Sequence, residues 1–181
     1  MTRASIEGVE TQNQLFERVA AEFGPAMARL ACAYESDVDR RQDLLQEIHF
    51  ALWRSLAIFD GRCSLRTWVY RVAHNTATTH AFRRRGKDPS AFLTLEDVET
   101  RATAVDIEES AHRERALERL LALVHQLAPL DRQVMSAYLE SLKADEIAEI
   151  TGLSVSSVWT RIHRIKNLLK RQFHRGASHV R

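Results

Sequence analysis

The sequence is poor in residues that break or staple a chain. Its two cysteines, Cys32 and Cys63, do not form a C-x-x-C pair, which excludes a disulfide framework and fits a reducing compartment. Three prolines and six glycines leave few forced turns, and no sustained run alternates apolar with polar residues, so sheet is not expected. No apolar run approaches the roughly 20 residues that span a bilayer, and Met1 to Gln14 lacks the apolar core of a signal peptide. A cytoplasmic chain with no membrane insertion of its own is therefore expected. The eight histidines form no cluster with metal-ligand spacing, and no nucleophile motif is present. Neither an enzyme, nor a metal site, nor a cofactor is expected; the histidines read as surface or packing residues.

What the chain has is helix formers and segregated charge. The formal net charge of +2 hides that segregation, which matters more than the sum. From Arg62 to Lys87 there are seven Lys/Arg and no Asp or Glu. Within this stretch Leu65, Trp68, Val69, Val72 and Ala73 recur at helical steps, leaving Arg66, Arg71, His74 and Asn75 elsewhere on the cylinder. A cationic face beside aromatic rings suits phosphates and unstacked bases. A solvated basic helix end is the alternative reading of the same residues.

Upstream, residues 1–11 are polar and expected to be disordered. From Gln12 to Tyr34 the spacing predicts two short helices or one bent helix, with Gly24-Pro25 as the break or kink. Ser36 or Asp37 is placed to cap a next helix with the stripe Leu44, Leu45, Ile48, Leu52, Trp53 and Leu56 buried. Asp43, Gln46 and Glu47 lie off that stripe, a face suited to a basic partner or simply to water. Phe59 to Ser64 reads as a short loop, with Ser64 as the cap of the basic helix.

After Lys87 the sign reverses: Asp88 to Glu109 holds seven acids against Arg101 alone, a linker composition. Helical period returns near Ala111, Pro129 ends that helix, and Asp131 is placed to cap the following one. In Lys143 to Lys166 a short helix meets Thr151-Gly152-Leu153, then Ser154 caps a second helix with Val158, Ile162, Ile165 and Leu169 inward. That is a helix-turn-helix pattern. Its outer side carries Ser156, Ser157, Trp159, Thr160, Arg161, Arg164 and Lys166, small residues first and cations after, as base-edge approach and phosphate neutralisation require.

Taken together, Asp43-Leu44-Leu45-Gln46-Glu47, Trp53, the run Ser64 to Asn75, Asp145-Glu146-Ile147-Ala148, and Ser154, Val158 and Arg161 to Arg164 resemble the extracytoplasmic-function (ECF) group of sigma-70 type transcription initiation factors. The resemblance covers nearly the whole chain. It implies an all-α fold of two small helical domains, region 2 over 12–87 and region 4 over 111–175, joined by a flexible acidic linker at 88–110 and followed by a tail at 176–181. It further implies a factor that binds core RNA polymerase, at the beta-prime clamp and beta flap, and directs it to promoter DNA. Asp43, Gln46 and Glu47 are the implied clamp contacts. Phe59, Asp60, Gly61, Arg62, Ser64, Trp68, Arg71, Asn75, Thr79, Arg83 and Arg84 are the implied minus-ten contacts, which capture a flipped base and border the melted strand. Ser156, Ser157, Trp159, Thr160, Arg161, Arg164 and Lys166 are the implied minus-thirty-five contacts. An anti-sigma partner is also implied. Two positions depart from the pattern: Thr79 stands where many members carry Asp, and Trp159 where Lys or Arg is common.

The rival reading is a stand-alone helix-turn-helix regulator whose residues 12–85 form a dimerisation or sensor domain. It leaves the aromatic, carboxylate-free stretch from Leu65 to Asn75 without a purpose.

Overall fold

Residues 11–85, 120–121 and 123–177 are described by the structure, a computed structural model, with side chains given except at 84, 85 and 172–177. The expected linker at 88–110, the start of the fourth helical segment, the last residues of the tail and the Arg84 side chain lie outside them. Among the described residues there are helices and no strands.

α1 spans Gln12–Tyr34, α2 Val38–Leu56 and α3 Leu65–Arg85. Thr11, expected in a disordered terminus, instead closes a capping box with Gln14 at the start of α1. Gly24-Pro25 does not break this helix, which runs through Pro25 as one element. Its two halves bury Val19 and Phe23 on one side of the proline and Met27, Leu30 and Ala31 on the other in the same core, and that shared burial outweighs the lost backbone hydrogen bond. Asp37 caps α2, its carboxylate accepting from the Arg40 N–H at 3.0 Å. Ser64 caps α3, its hydroxyl accepting from the Thr67 N–H at 3.0 Å.

α1, α2 and α3 pack around Leu44, Ile48, Leu52, Val69, Tyr70, Ala73 and Ala77. Two side chains sit where the pattern did not put them. Trp53, expected in the buried stripe of α2, is 39% exposed; its indole N–H donates to Asn13 Oδ1 at 2.9 Å and its ring stacks on the exposed Phe50. His74, expected on the free side of α3, is fully buried, its Nδ1 3.3 Å from the Tyr34 hydroxyl. Burial pushes its pKa down to about 3 and that of Tyr34 up to about 12, so both are neutral near pH 7.

The second unit contains α4 (Pro129–Leu139), α5 (Ala144–Thr151) and α6 (Val155–Ala177), preceded by helical residues 120–121 and 123–126. Pro129 opens α4 rather than merely ending its predecessor. Asp131 lies in the first turn of α4 and is not its cap; Ala128 holds that position. Between α5 and α6, Gly152 adopts φ +73°, the left-handed geometry this turn needs, and the Ser154 hydroxyl accepts from the Ser157 N–H at 3.2 Å. Ile147, Ile150, Val158, Ile162, Ile165 and Leu168 form the core beneath.

The two units pack together through α3 against α5, with smaller contacts of α1 and α3 to α4. Arg29 on α1 and Glu140 at the end of α4 form a two-pronged ion pair at 2.7 and 2.6 Å. Arg132 on α4 lies over the Tyr34 ring, 5.3 Å from its centroid.

Candidate nucleic-acid and polymerase interfaces

Three faces carry the residues singled out in the sequence. On α2, Asp43 and Gln46 are exposed and one turn apart, while Glu47 is half-buried. Glu47 is engaged by α3: one oxygen lies 3.3 Å from His80 Nδ1 and the other 3.9 Å from Arg83. Continuing along the same face at helical spacing is Phe50, 61% exposed, with Arg54 over its ring. The sequence reading passed over Phe50, although its place outside the stripe of Leu44, Ile48 and Leu52 marks it as an outward aromatic.

The second face is built from the loop before α3 and the helix itself. Gly61 takes φ +74° to turn the chain, and Asp60 holds the turn by accepting from the Arg62 N–H at 3.1 Å. Phe59 and Trp68 pack at 5.4 Å between ring centroids, and the Trp68 indole N–H donates to Ser55 Oγ at 3.1 Å. The loop and helix are thereby fixed to one another, so Trp68 is a half-buried wall, not a free ring. From it Arg71, Asn75 and Thr79 follow at three- and four-residue steps along one side of α3. Asn75 is exposed; the Thr79 hydroxyl donates back to the Asn75 carbonyl at 2.8 Å; Arg62 and Arg83 are exposed at the two ends. Part of this cationic face is covered by the second unit. Arg71 donates to Glu149 Oε1 at 2.8 Å and Arg66 to the Glu140 carbonyl at 2.8 Å.

The third face is the outer side of α6. Ser156, Thr160, Arg164 and Lys166 are exposed, Trp159 is 56% exposed, and Ser157 and Arg161 are half-buried. The Thr160 hydroxyl is used internally, donating to the Ser156 carbonyl at 2.9 Å, and Lys166 lies over the Tyr138 ring. Arg161 and Arg164 both converge on the buried carboxylate of Asp131, Arg164 at 3.2 Å. Small side chains therefore surround the start of the helix while a cationic ridge follows it, the arrangement by which a helix enters a major groove. Among the described residues no group of three His, Cys, Asp or Glu could hold a metal, and no helix is long and apolar enough to cross a membrane.

Two family models match in the order these faces require: Sigma-70 region 2 over residues 19–88 and Sigma-70 region 4 over residues 117–169. The chain belongs to the ECF group of the sigma-70 family. It is thus a promoter-directing RNA polymerase sigma factor; the match to region 2 disfavours the stand-alone regulator. Similar proteins include the RNA polymerase sigma-H factor of Pseudomonas aeruginosa, 28% identical over 161 residues that cover 85% of this chain and 83% of that one. The ECF RNA polymerase sigma-E factor of Haemophilus influenzae is 28% identical over 176 residues, 93% of each chain. In fold the sigma factor resembles RpoE of Bartonella quintana, solved in complex with the anti-sigma factor NepR, at a TM-score of 0.66 and 19% identity, covering 89% of this chain and 98% of that one. α3 thus falls within the region 2 match, and the α6 face from Ser156 to Lys166 within the region 4 match.

Proposed function

We propose that this sigma factor divides its work among the three faces. Asp43, Gln46 and Glu47, extended by the exposed Phe50, dock on the basic clamp of the polymerase beta-prime subunit. The Phe59 to Ser64 loop, with Trp68 as a wall and Arg71, Asn75, Thr79, Arg83 and Arg84 along α3, takes the minus-ten element and holds a base out of the stack. The outer side of α6, from Ser156 to Lys166, enters the major groove of the minus-thirty-five element. Residues 12–87 and 111–175 act as the two binding modules, with 88–110 as the tether between them. Their modest contacts add because the polymerase holds both on one DNA.

The observation that carries this reading is the carboxylate-free side of α3, on which Arg71, the exposed Asn75 and the exposed Arg83 follow one another from the loop-anchoring Phe59–Trp68 contact. Opening a duplex costs a few kcal/mol per step, and stacking and phosphate contacts to the freed strand offset it. The work is binding, with no covalent chemistry. In the arrangement seen here Arg66 and Arg71 are held by the second domain, so promoter engagement requires the domains to part. A cytoplasmic anti-sigma partner that favours the packed arrangement fits this requirement, and the fold shared with RpoE, which binds NepR, supports it.

The test is a holoenzyme assembled on genomic promoter fragments, with permanganate reactivity of thymines reporting strand opening. Asp43→Ala with Gln46→Ala should weaken assembly with core polymerase, whereas Asn75→Ala should leave assembly intact and reduce opening. Reduced assembly in the Asn75 variant, or undiminished assembly in the other, contradicts the division.

A further inference from the structure

Asp131 is an anomaly in a DNA-binding domain: an acid whose side chain is only 6% exposed, at the base of the recognition helix and facing two of its arginines. It is not the cap of its own helix and makes no cap hydrogen bond there. One carboxylate oxygen accepts from Arg161 Nη1 and the other from Arg164 Nη2 at 3.2 Å. The same arginines, with Leu153, Ser156, Ser157 and Thr160, line a polar hollow beside the start of α6. One carboxylate between two guanidiniums leaves a trio of net charge +1, held in a fixed arrangement by charge-assisted hydrogen bonds.

We propose that Asp131 is a positioning residue for promoter reading: it aims the Arg161 and Arg164 guanidiniums across the hollow and neutralises one of their two charges from within the protein. Resting on the reading of α6 as the recognition helix, this assigns a role to a residue that does not touch DNA. A free arginine is attracted to every phosphate on every duplex, so uncompensated charge raises affinity without raising preference. A guanidinium tethered by an internal acid keeps some N–H groups for the DNA but loses freedom of direction. Its charge-assisted bonds then form only where the duplex presents a matching acceptor.

The experiment uses the holoenzyme and a pool of duplexes with a randomised segment. Wild-type holoenzyme selects a sequence, and the selected duplex and its scrambled version become the probes. For Asp131→Asn, affinity for the scrambled duplex should rise several-fold, the preference for the selected duplex should fall by a similar factor, and the plot of log affinity against log salt should steepen by up to about 0.9, one phosphate's worth. Unchanged preference and unchanged salt slope, with only a lower melting temperature, would show a structural tether and overturn the proposal. If Asp131→Asn does not fold, Arg161→Lys decides: it keeps the charge but loses the fork, so preference should drop at nearly constant salt slope, and an unaltered preference overturns the proposal. Failure of the wild type to select any sequence would remove the recognition-helix reading, and this inference with it.

Discussion

Arg29 and Glu140 meet as a two-pronged ion pair although 111 positions separate them, and that pair joins the region 2 unit to the helix-turn-helix unit. Glu140 is nearly enclosed: its carboxylate also lies 3.4 Å from the Tyr70 hydroxyl, and its carbonyl accepts from Arg66. The hydrogen bond to Glu140 holds the Arg29 guanidinium pKa above its ordinary value, and burial, with Glu140 nearby, pushes Tyr70 up to about 12. Arg29 is half exposed, so solvent screens part of the attraction. Glu140→Gln should therefore destabilise the packed arrangement by about 1 kcal/mol, shifting the open population roughly five-fold. Energy transfer between dyes on α2 and α6 measures it, and the shift should be reproduced in the wild type by raising salt.

Glu149 pairs with Arg71 at 2.8 Å, and on the proposed reading of α3 a phosphate of the melted strand would compete for the same guanidinium. Glu149→Gln should tighten binding of a labelled single-stranded minus-ten oligonucleotide by the full chain a few-fold. Arg71→Ala should weaken it by a similar factor and make the Glu149 substitution silent, a dependence that a double-mutant cycle reads directly.

The buried His74 gives the first domain an acid-sensitive core. Tyr34 from α1, Tyr70 from its own helix and, beyond Tyr34, Arg132 from α4 surround it, with no carboxylate among these contacts to stabilise a charged imidazole. Its folded pKa of about 3 lies below the ordinary value of 6.5, so between these values the unfolded chain binds the extra proton. This contribution is complete above pH 6.5 and is lost as pH falls toward 3, at a slope approaching about 1.4 kcal/mol per pH unit. Urea unfolding at pH 7.5 and 5.0 should differ by about 2 kcal/mol more in the wild type than in His74→Phe. Equal pH dependence of the two proteins would remove the assignment.

Gly152 has open space where a Cβ would be added, so only its φ of +73° opposes substitution. Gly152→Ala should cost about 1 kcal/mol, and Ser154→Ala a similar amount through loss of the cap. Thermal unfolding should detect both, with promoter affinity falling because the start of α6 is less well fixed.

The local features were legible because short-range chemistry sets them. Ser64 and Ser154 cap as their hydroxyls and the following apolar runs require, Gly152 turns as glycine does, and the helix-turn-helix core follows its spacing. The errors arose where distant partners decide. His74 is polar by type yet buried, because Tyr34, forty positions away, offers its nitrogen a hydroxyl. Trp53 turns outward, where Asn13, forty positions away, accepts from its indole N–H. Asp131 resembles a cap by position, but two arginines on a later helix claim its carboxylate. The covering of Arg66 and Arg71 by the second domain has no local signature at all, since the acids concerned, Glu140 and Glu149, lie more than seventy positions away.

Abortive transcription on genomic promoter fragments, with core polymerase from the same source and with or without the full chain, tests the division of labour most directly when run with the Asn75→Ala variant alongside. Initiation at discrete start sites only when the chain is added, weakened by Asn75→Ala on duplex promoters and restored on templates already mismatched at the minus-ten position, is the predicted result. Equal initiation by wild type and variant on duplex promoters, or a core polymerase that stays silent with either, would contradict it.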